Sequence, residues 1–238
     1  MTATQACPTV GEIVAANPNS ARFFEKLGID FCCGGKVPLD AACAEKKIDP
    51  NTLLKQIEAG GFKNSGEDAK DWLHAPISEL CAHIEQTHHA YLKTELPRLA
   101  GMAEKVARVH GEHNPKLIKL HAIFDAFRAE LEQHMFKEEM ILFPLCRALE
   151  QAQVMPPCHC GSVRNPISVM EQEHSHAGDA MEKFRELTDN YTAPDWACGT
   201  YRVLLKGLED LEKDMHLHVH KENNILFPRA VKRESELQ

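Results

Sequence analysis

At 238 residues the chain can hold one full-sized domain and a small one. Its formal net charge of −8 argues against nucleic acid or an anionic membrane surface as partner, since either calls for a basic face. No basic segment leads into an apolar run at the start and no stretch reaches the ~20 apolar residues of a membrane span, and nine cysteines, an odd number in a chain too long for a disulfide scaffold, fit a reducing, cytoplasmic setting.

In chain order, residues 1–62 read as a small helical N-terminal domain with helices over 10–16, 20–27, 39–47 and 51–59. Asn19 or Ser20 is placed to cap the second helix and Gly28 to end it. The domain carries adjacent cysteines, Cys32 and Cys33, followed by Gly34 and Gly35 in a loop rather than on an apolar stripe. They could pack as two small residues; their place in a glycine-rich loop favours a reactive pair, with reactivity set by thiolate formation. Residues 63–75 combine glycine, serine and charge without apolar periodicity and read as a polar linker.

Residues 76–238 follow with four long amphipathic patterns, over 77–104, 115–149, 166–190 and 194–230. Strand-type alternation is nowhere sustained. The fold class expected is all-α, an up-down four-helix bundle preceded by the small helical domain.

The histidines give the bundle a chemistry. There are fourteen of them beside three tyrosines and two tryptophans. In the fourth pattern Leu204, Leu208, Leu211, Met215, His218, Glu222 and Ile225 share one face. The second repeats it with Leu120, Phe124, Phe127, Leu131, His134, Glu138, Ile141 and Leu145. The segments HMFKEEMILFP, from 134, and HVHKENNILFP, from 218, match in register as an 84-residue repeat. His89 precedes the first HxxxE and His174 the second by nearly equal spacings.

Side chains four apart on a helix point the same way, so each HxxxE aims an imidazole and a carboxylate at one place between helices. A lone histidine on an apolar face is usually a hydrogen-bonded core residue. Two buried carboxylates facing each other need more than that, and a pair of cations removes their desolvation penalty. If Glu138 and Glu222 bridge both ions and each ion takes two histidines, four His and two Glu are all used, with coordination positions left over. Such a symmetric donor set in a helical bundle points to iron, with manganese second.

Among the neighbouring histidines, His176, His216 and His220 fall out of phase and read as solvated. Periodicity does not separate His88 from His89; the near-equal spacings lean toward His89. Glu130, one turn before His134, is a candidate acid reaching toward the centre, weighed against a solvated surface residue. Lys137 and Glu139 read as surface residues.

These motifs, with IDFCCGG from 29 and NPISVMEQEH from 165, resemble the Repair of Iron Centers family, the YtfE, ScdA and DnrN type of hemerythrin-like di-iron protein, over nearly the whole chain. The resemblance implies a hemerythrin-like bundle holding two iron ions, carboxylate- and oxo-bridged. His89, His134, His174 and His218 would be terminal ligands and Glu138 and Glu222 the bridges. It thereby favours His89 over His88. It implies repair of iron-sulfur clusters damaged by nitric oxide or oxidative stress, by supplying iron. The partners would then be damaged iron-sulfur proteins, with NO or O2 as small ligands, and the chain is compatible with a homodimer. Cys32, Cys33 and Glu130 stand as candidate reactive residues. Alternatives are a di-iron nitric oxide reductase making N2O and a non-enzymatic O2 or NO sensor. Oxygen-carrying hemerythrins have a fifth-histidine pattern that this chain lacks. The run Cys158, His159, Cys160 has no counterpart in the family pattern. It reads as an exposed cluster in preference to a metal or redox site, because structural sites want four ligands at wider spacing.

Overall fold

A computed structural model describes residues 7–59, 70–156 and 160–238. Cys158 and His159, singled out above, therefore lie outside the described residues; Cys160 is seen through its carbonyl, which accepts a hydrogen bond from Asn165. The described residues form helices, with one isolated antiparallel bridge between Thr9 and Pro38.

The N-terminal segment has four short helices: α1 (Val10–Ala16), α2 (Ala21–Leu27), α3 (Leu39–Glu45) and α4 (Pro50–Ala59). A capping box starts α1, in which Thr9 Oγ1 accepts the Glu12 N–H and the Glu12 carboxylate accepts the Thr9 N–H. The cap expected before α2 is different. Residues Pro18–Ser20 make a 3-10 turn and Ser20 turns its hydroxyl back to the Asn17 carbonyl, so neither Asn19 nor Ser20 caps by side chain. Gly28 ends α2 as anticipated, in the left-handed conformation at φ 61°.

Four helical rods form the bundle. The first runs through α5 (Ile77–Ile84), a π turn (Glu85–His89) and α6 (Ala90–His110). The second is α7 (Lys116–Lys137), a π turn (Glu138–Leu142) and α8 (Phe143–Gln151). The third is α9 (Arg164–Leu187), without a π turn. The fourth is α10 (Gly199–Lys221), a π turn (Glu222–Leu226) and α11 (Phe227–Glu236). α6 packs on α7, α7 on α9, α9 on α10 and α10 back on α6, closing the ring.

Sequence explains two of the π turns. Pro144 and Pro228 each lie six residues after a glutamate of the repeat. In a straight α-helix a proline lacks the donor to the carbonyl four residues back and its ring collides with it. The turn before each proline widens instead, so Phe143 N–H reaches Glu138 O and Phe227 N–H reaches Glu222 O, five residues back. π turns of this kind recur at functional sites. Here each one begins at a glutamate of an HxxxE motif.

Two apolar cores result. One joins the N-terminal segment to the bundle, with Val14, Phe24 and Leu39 in the same cluster as Leu96, Phe124, Phe184 and Leu208. The other fills the opposite end with Leu80, Ile84, Phe143, Leu149, Leu226 and Phe227. Each fully buried Leu or Phe adds about 1.5–3 kcal/mol. The far end of the predicted linker belongs to this second core: Trp72 is buried and the Arg229 guanidinium holds the carbonyls of Trp72 and Ala75. Between the two cores lie the ionisable residues.

Candidate metal centre

The structure brings all six sequence-predicted metal residues together. His89, His134, Glu138, His174, His218 and Glu222 have relative exposures of 0–2%. They form two sets that share both glutamates, one with His89 and His218 and one with His134 and His174; within each set the ligand atoms lie within 4.8 Å of one another. Each pair takes one histidine from each half of the repeat. The Nε2 atoms are 3.2 Å apart for His89 and His218, and 3.0 Å for His134 and His174.

Both glutamates straddle the two sets. Glu138 Oε2 lies 3.4 Å from His89 Nε2 and its Oε1 3.3 Å from His134 Nε2. Glu222 Oε1 lies 3.1 Å from His218 Nε2 and its Oε2 3.1 Å from His174 Nε2. Both oxygens of Glu138 and Oε2 of Glu222 are buried without an aligned hydrogen bond. Such orphaned acceptors are costly in a dry interior. Two cations, each meeting two imidazole nitrogens and one oxygen from each carboxylate, would satisfy them, so the donor set fits a pair of divalent or trivalent metal ions.

Outer hydrogen bonds fix which imidazole nitrogen faces inward. His89 Nδ1–H donates to Glu139 at 2.8 Å, and Lys93 neutralises that carboxylate at 2.6 Å. His134 Nδ1–H donates to Glu173 at 2.9 Å, itself paired with Lys137. His174 Nδ1–H donates to the Asn223 side-chain oxygen at 2.9 Å. Among the described residues His218 Nδ1 has no such partner; the His88 ring stacks on the His218 ring at 5.3 Å, nearly parallel. With Nδ1 carrying the hydrogen, Nε2 presents its lone pair to the centre.

Protons held in the cluster show the same electrostatics. Burial would lower the His134 pKa, but the Glu138 charge outweighs it and raises it to about 9. His89 is raised for the same reason. Burial likewise pushes the Glu222 carboxyl up, and the His218 charge with the His174 hydrogen bond outweighs it, leaving it well below the usual range.

Several residues differ from their sequence reading. Glu130 is not in the cluster; it is exposed on the rim of a groove of about 360 Å³ between α7 and α9 that Phe127, Leu131, His134, His174 and Ala177 also line. Glu139 is half-buried and bonded to His89 instead of solvated. Burial also claims His220, whose Nδ1 donates to the Phe31 carbonyl at 3.3 Å and whose pKa desolvation pushes to about 4. His88 is buried, bonded to Asp214 at 2.8 Å and to Lys221 at 2.9 Å. His176 is exposed and His216 half-buried. Sequence reading missed Glu173 and Asn223; each adjoins a ligand in the chain, which was the available signal.

Cys32 and Cys33 sit against the centre. Cys33 Sγ is 3.7 Å from the His174 carbonyl, and the Asn224 side chain donates to the Cys32 carbonyl at 3.0 Å. They line, with His174, Met215, His216 and Val219, a cavity of about 750 Å³ between the N-terminal segment and the bundle. Neither opening is lined by His89 or His218.

Comparison with known proteins places these features in context. Residues 80–230 match the hemerythrin HHE cation binding domain, and residues 7–60 match ScdA_N, described as a domain of unknown function. The chain is 41% identical over 222 residues to the iron-sulfur cluster repair protein YtfE of Edwardsiella ictaluri, covering 93% of this chain and 96% of that one. It is 39% identical over 226 residues to the protein of the same name from Pectobacterium carotovorum, covering 95% and 97%. For that of Yersinia pseudotuberculosis the identity is 37% with the same coverage.

Proposed function

The chain belongs to the hemerythrin HHE cation-binding family, in the group whose curated members are iron-sulfur cluster repair proteins, and on that footing we propose that it repairs damaged iron-sulfur clusters by supplying iron. His89 with His218 would hold one ion and His134 with His174 the other, while Glu138 and Glu222 span both. The observation that carries this reading is the pair of buried carboxylates, three of whose four oxygens find no aligned hydrogen bond among four inward-facing imidazole nitrogens.

Iron is then cargo as well as occupant. Imidazole and carboxylate donors without thiolate hold ferrous iron less tightly than the cysteine ligands of an iron-sulfur protein, so transfer runs toward thiolate. Glu139 and Glu173 keep the His89 and His134 rings oriented through loading and unloading. The openings beside His134 and His174 give the ion a way out. The cytoplasm suits this work. Oxidant and nitric oxide stress would supply the damaged targets.

The test mixes iron-loaded protein with an apo iron-sulfur enzyme, sulfide and reductant without air. Activity should return faster than with an equal amount of free ferrous iron; equal recovery would remove the donor role. A second reading, reductive coupling of two NO molecules to N2O, draws on the groove lined by Phe127, Leu131 and Ala177, which suits a small neutral molecule approaching His134. Headspace N2O after anaerobic exposure of the reduced protein to NO separates the two.

A further inference from the structure

Outside the six-residue cluster, the cavity between the N-terminal segment and the bundle contains another set of metal-ligating atoms. Asp30, Cys32 and Cys33 each offer one, and the three lie within 4.8 Å of one another. Cys32 Sγ stands 3.2 Å from Asp30 Oδ1 and 4.0 Å from Cys33 Sγ. The loop is shaped to hold them. Cys32 and Cys33 N–H donate to Asp30 Oδ1 at 2.9 and 3.0 Å, and Gly34 N–H to Oδ2 at 2.8 Å. Gly35 lies so close to the fourth rod that a Cβ there would meet Asn224 Oδ1 at 2.4 Å and the Phe31 carbonyl at 2.6 Å, so only glycine lets the loop seat this deeply.

Burial and charge favour a cation. Cys32 is buried, and its thiol is raised well above the usual range by its hydrogen bond with Cys33, by burial and by the negative charge that Cys33 and Asp30 would carry. A positive ion relieves that repulsion. Asp179, Glu182, Glu186 and Asp189 line the same cavity, giving it an acidic approach. Asn223 joins the two sets of ligands: its Oδ1 accepts from His174 at 2.9 Å and its Nδ2 donates to the Cys32 carbonyl at 3.5 Å.

We propose that Asp30, Cys32 and Cys33 form a third, exchangeable site for a divalent transition metal ion, ferrous iron foremost, beside the His134 and His174 half of the centre. Three protein donors leave a position open, where a closed structural site uses four. An incoming thiolate can occupy that position and draw the ion off. Binding one ion releases the two thiol protons to solvent and changes no oxidation state. Only the direction of traffic rests on the iron-supply reading; occupancy of the site does not.

Anaerobic titration of the full-length, metal-free protein with Co2+ tests the site. Three equivalents should bind, one of them bringing thiolate-to-cobalt charge-transfer absorption. The double variant Cys32→Ser, Cys33→Ser should bind two with no such band. Asp30→Asn should weaken the thiolate-marked equivalent by about tenfold or more, the effect of losing ~1.4 kcal/mol of binding. Two equivalents without thiolate absorption in the unaltered protein, or a band that persists in the double variant, would overturn the proposal. Should the double variant not fold, which loss of its other two equivalents would reveal, alkylation decides. Co2+ should protect half-buried Cys33 from iodoacetamide while exposed Cys7 and Cys198 react unchanged, and equal labelling of Cys33 with and without Co2+ overturns the site. Three equivalents with no iron transfer would remove the supply reading alone; two equivalents with transfer intact would remove the site alone.

Discussion

The His89 and His218 half of the centre and the His134 and His174 half have matching inner geometry and different surroundings. Imidazole pairs 3.2 and 3.0 Å apart face the same two carboxylates. Behind them the repeat breaks. Glu139, which accepts from His89, corresponds in the repeat to Asn223, which accepts from His174. Glu173, which accepts from His134, corresponds to His88, which stacks on His218 and leaves its Nδ1 without a partner. Both openings reach the His134 and His174 half. Duplication therefore sets where the donors stand, and the departures from it set how tightly and how accessibly each half would hold an ion.

The most damaging change to both halves is loss of a shared carboxylate. Glu138→Ala or Glu222→Ala should take iron from two per chain to below one, measured by elemental analysis of anaerobically purified protein. Retention of two ions in both variants would end the bridging assignment. The outer acids distinguish the halves: Glu139→Gln should weaken the His89 half and Glu173→Gln the His134 half, each by roughly 10–100-fold. Competition with a chelator reports each affinity, and equal losses in both halves from either variant would erase the comparison.

Acidity acts next in size. With protons in place of cations, His134 keeps its proton until about pH 9, so an incoming ion must expel it at neutral pH. Apparent affinity should therefore fall as pH drops below 9, by up to about tenfold per unit for one proton displaced, and level off above 9. Proton release measured in weak buffer during loading checks the sign: uptake without release at pH 7 would contradict it. Rates should differ by less. Iron removal by an excess of chelator should show two phases, the His134 and His174 half emptying several-fold sooner, and a single phase would mean that the openings do not govern release.

Much of this was legible in the chain. The apolar stripes named the buried faces as far as His134, Glu138, His218 and Glu222; beyond Glu138 the π turn shifts the phase, so Ile141, expected in the stripe, is exposed and Leu142 and Phe143 are buried in its place. The near-equal spacings of the repeat pointed to His174 and leaned toward His89, which the resemblance favoured over His88. Other features needed three dimensions. A proline in a helical pattern does not by itself foretell a π turn: Pro144 and Pro228 follow one, whereas Pro97 lies inside α6. A 3.6-residue period placed His220 on a polar face, yet the N-terminal segment docks there and buries it under the Phe31 carbonyl. Glu139 read as surface because it faces outward from its own helix; the neighbouring rod supplies His89 to meet it. Periodicity describes one helix at a time, and these contacts belong to pairs.

The smallest expected effect is the sharpest control on accessibility. His176 lies two residues from His174 and lines the groove beside His134, so a role as a stepping ligand for departing iron is the natural rival to a purely passive opening. It is exposed on α9, whereas His174 is buried among the inward-facing imidazoles. A side chain kept in water holds an ion weakly and adds little to its capture. His176→Ala should leave iron content at two per chain and the fast phase of removal unchanged within error. If that phase slows while the content stays at two, the groove side would be a ligand-assisted path, and the contrast between the halves would rest on a histidine at the exit instead of on the opening itself.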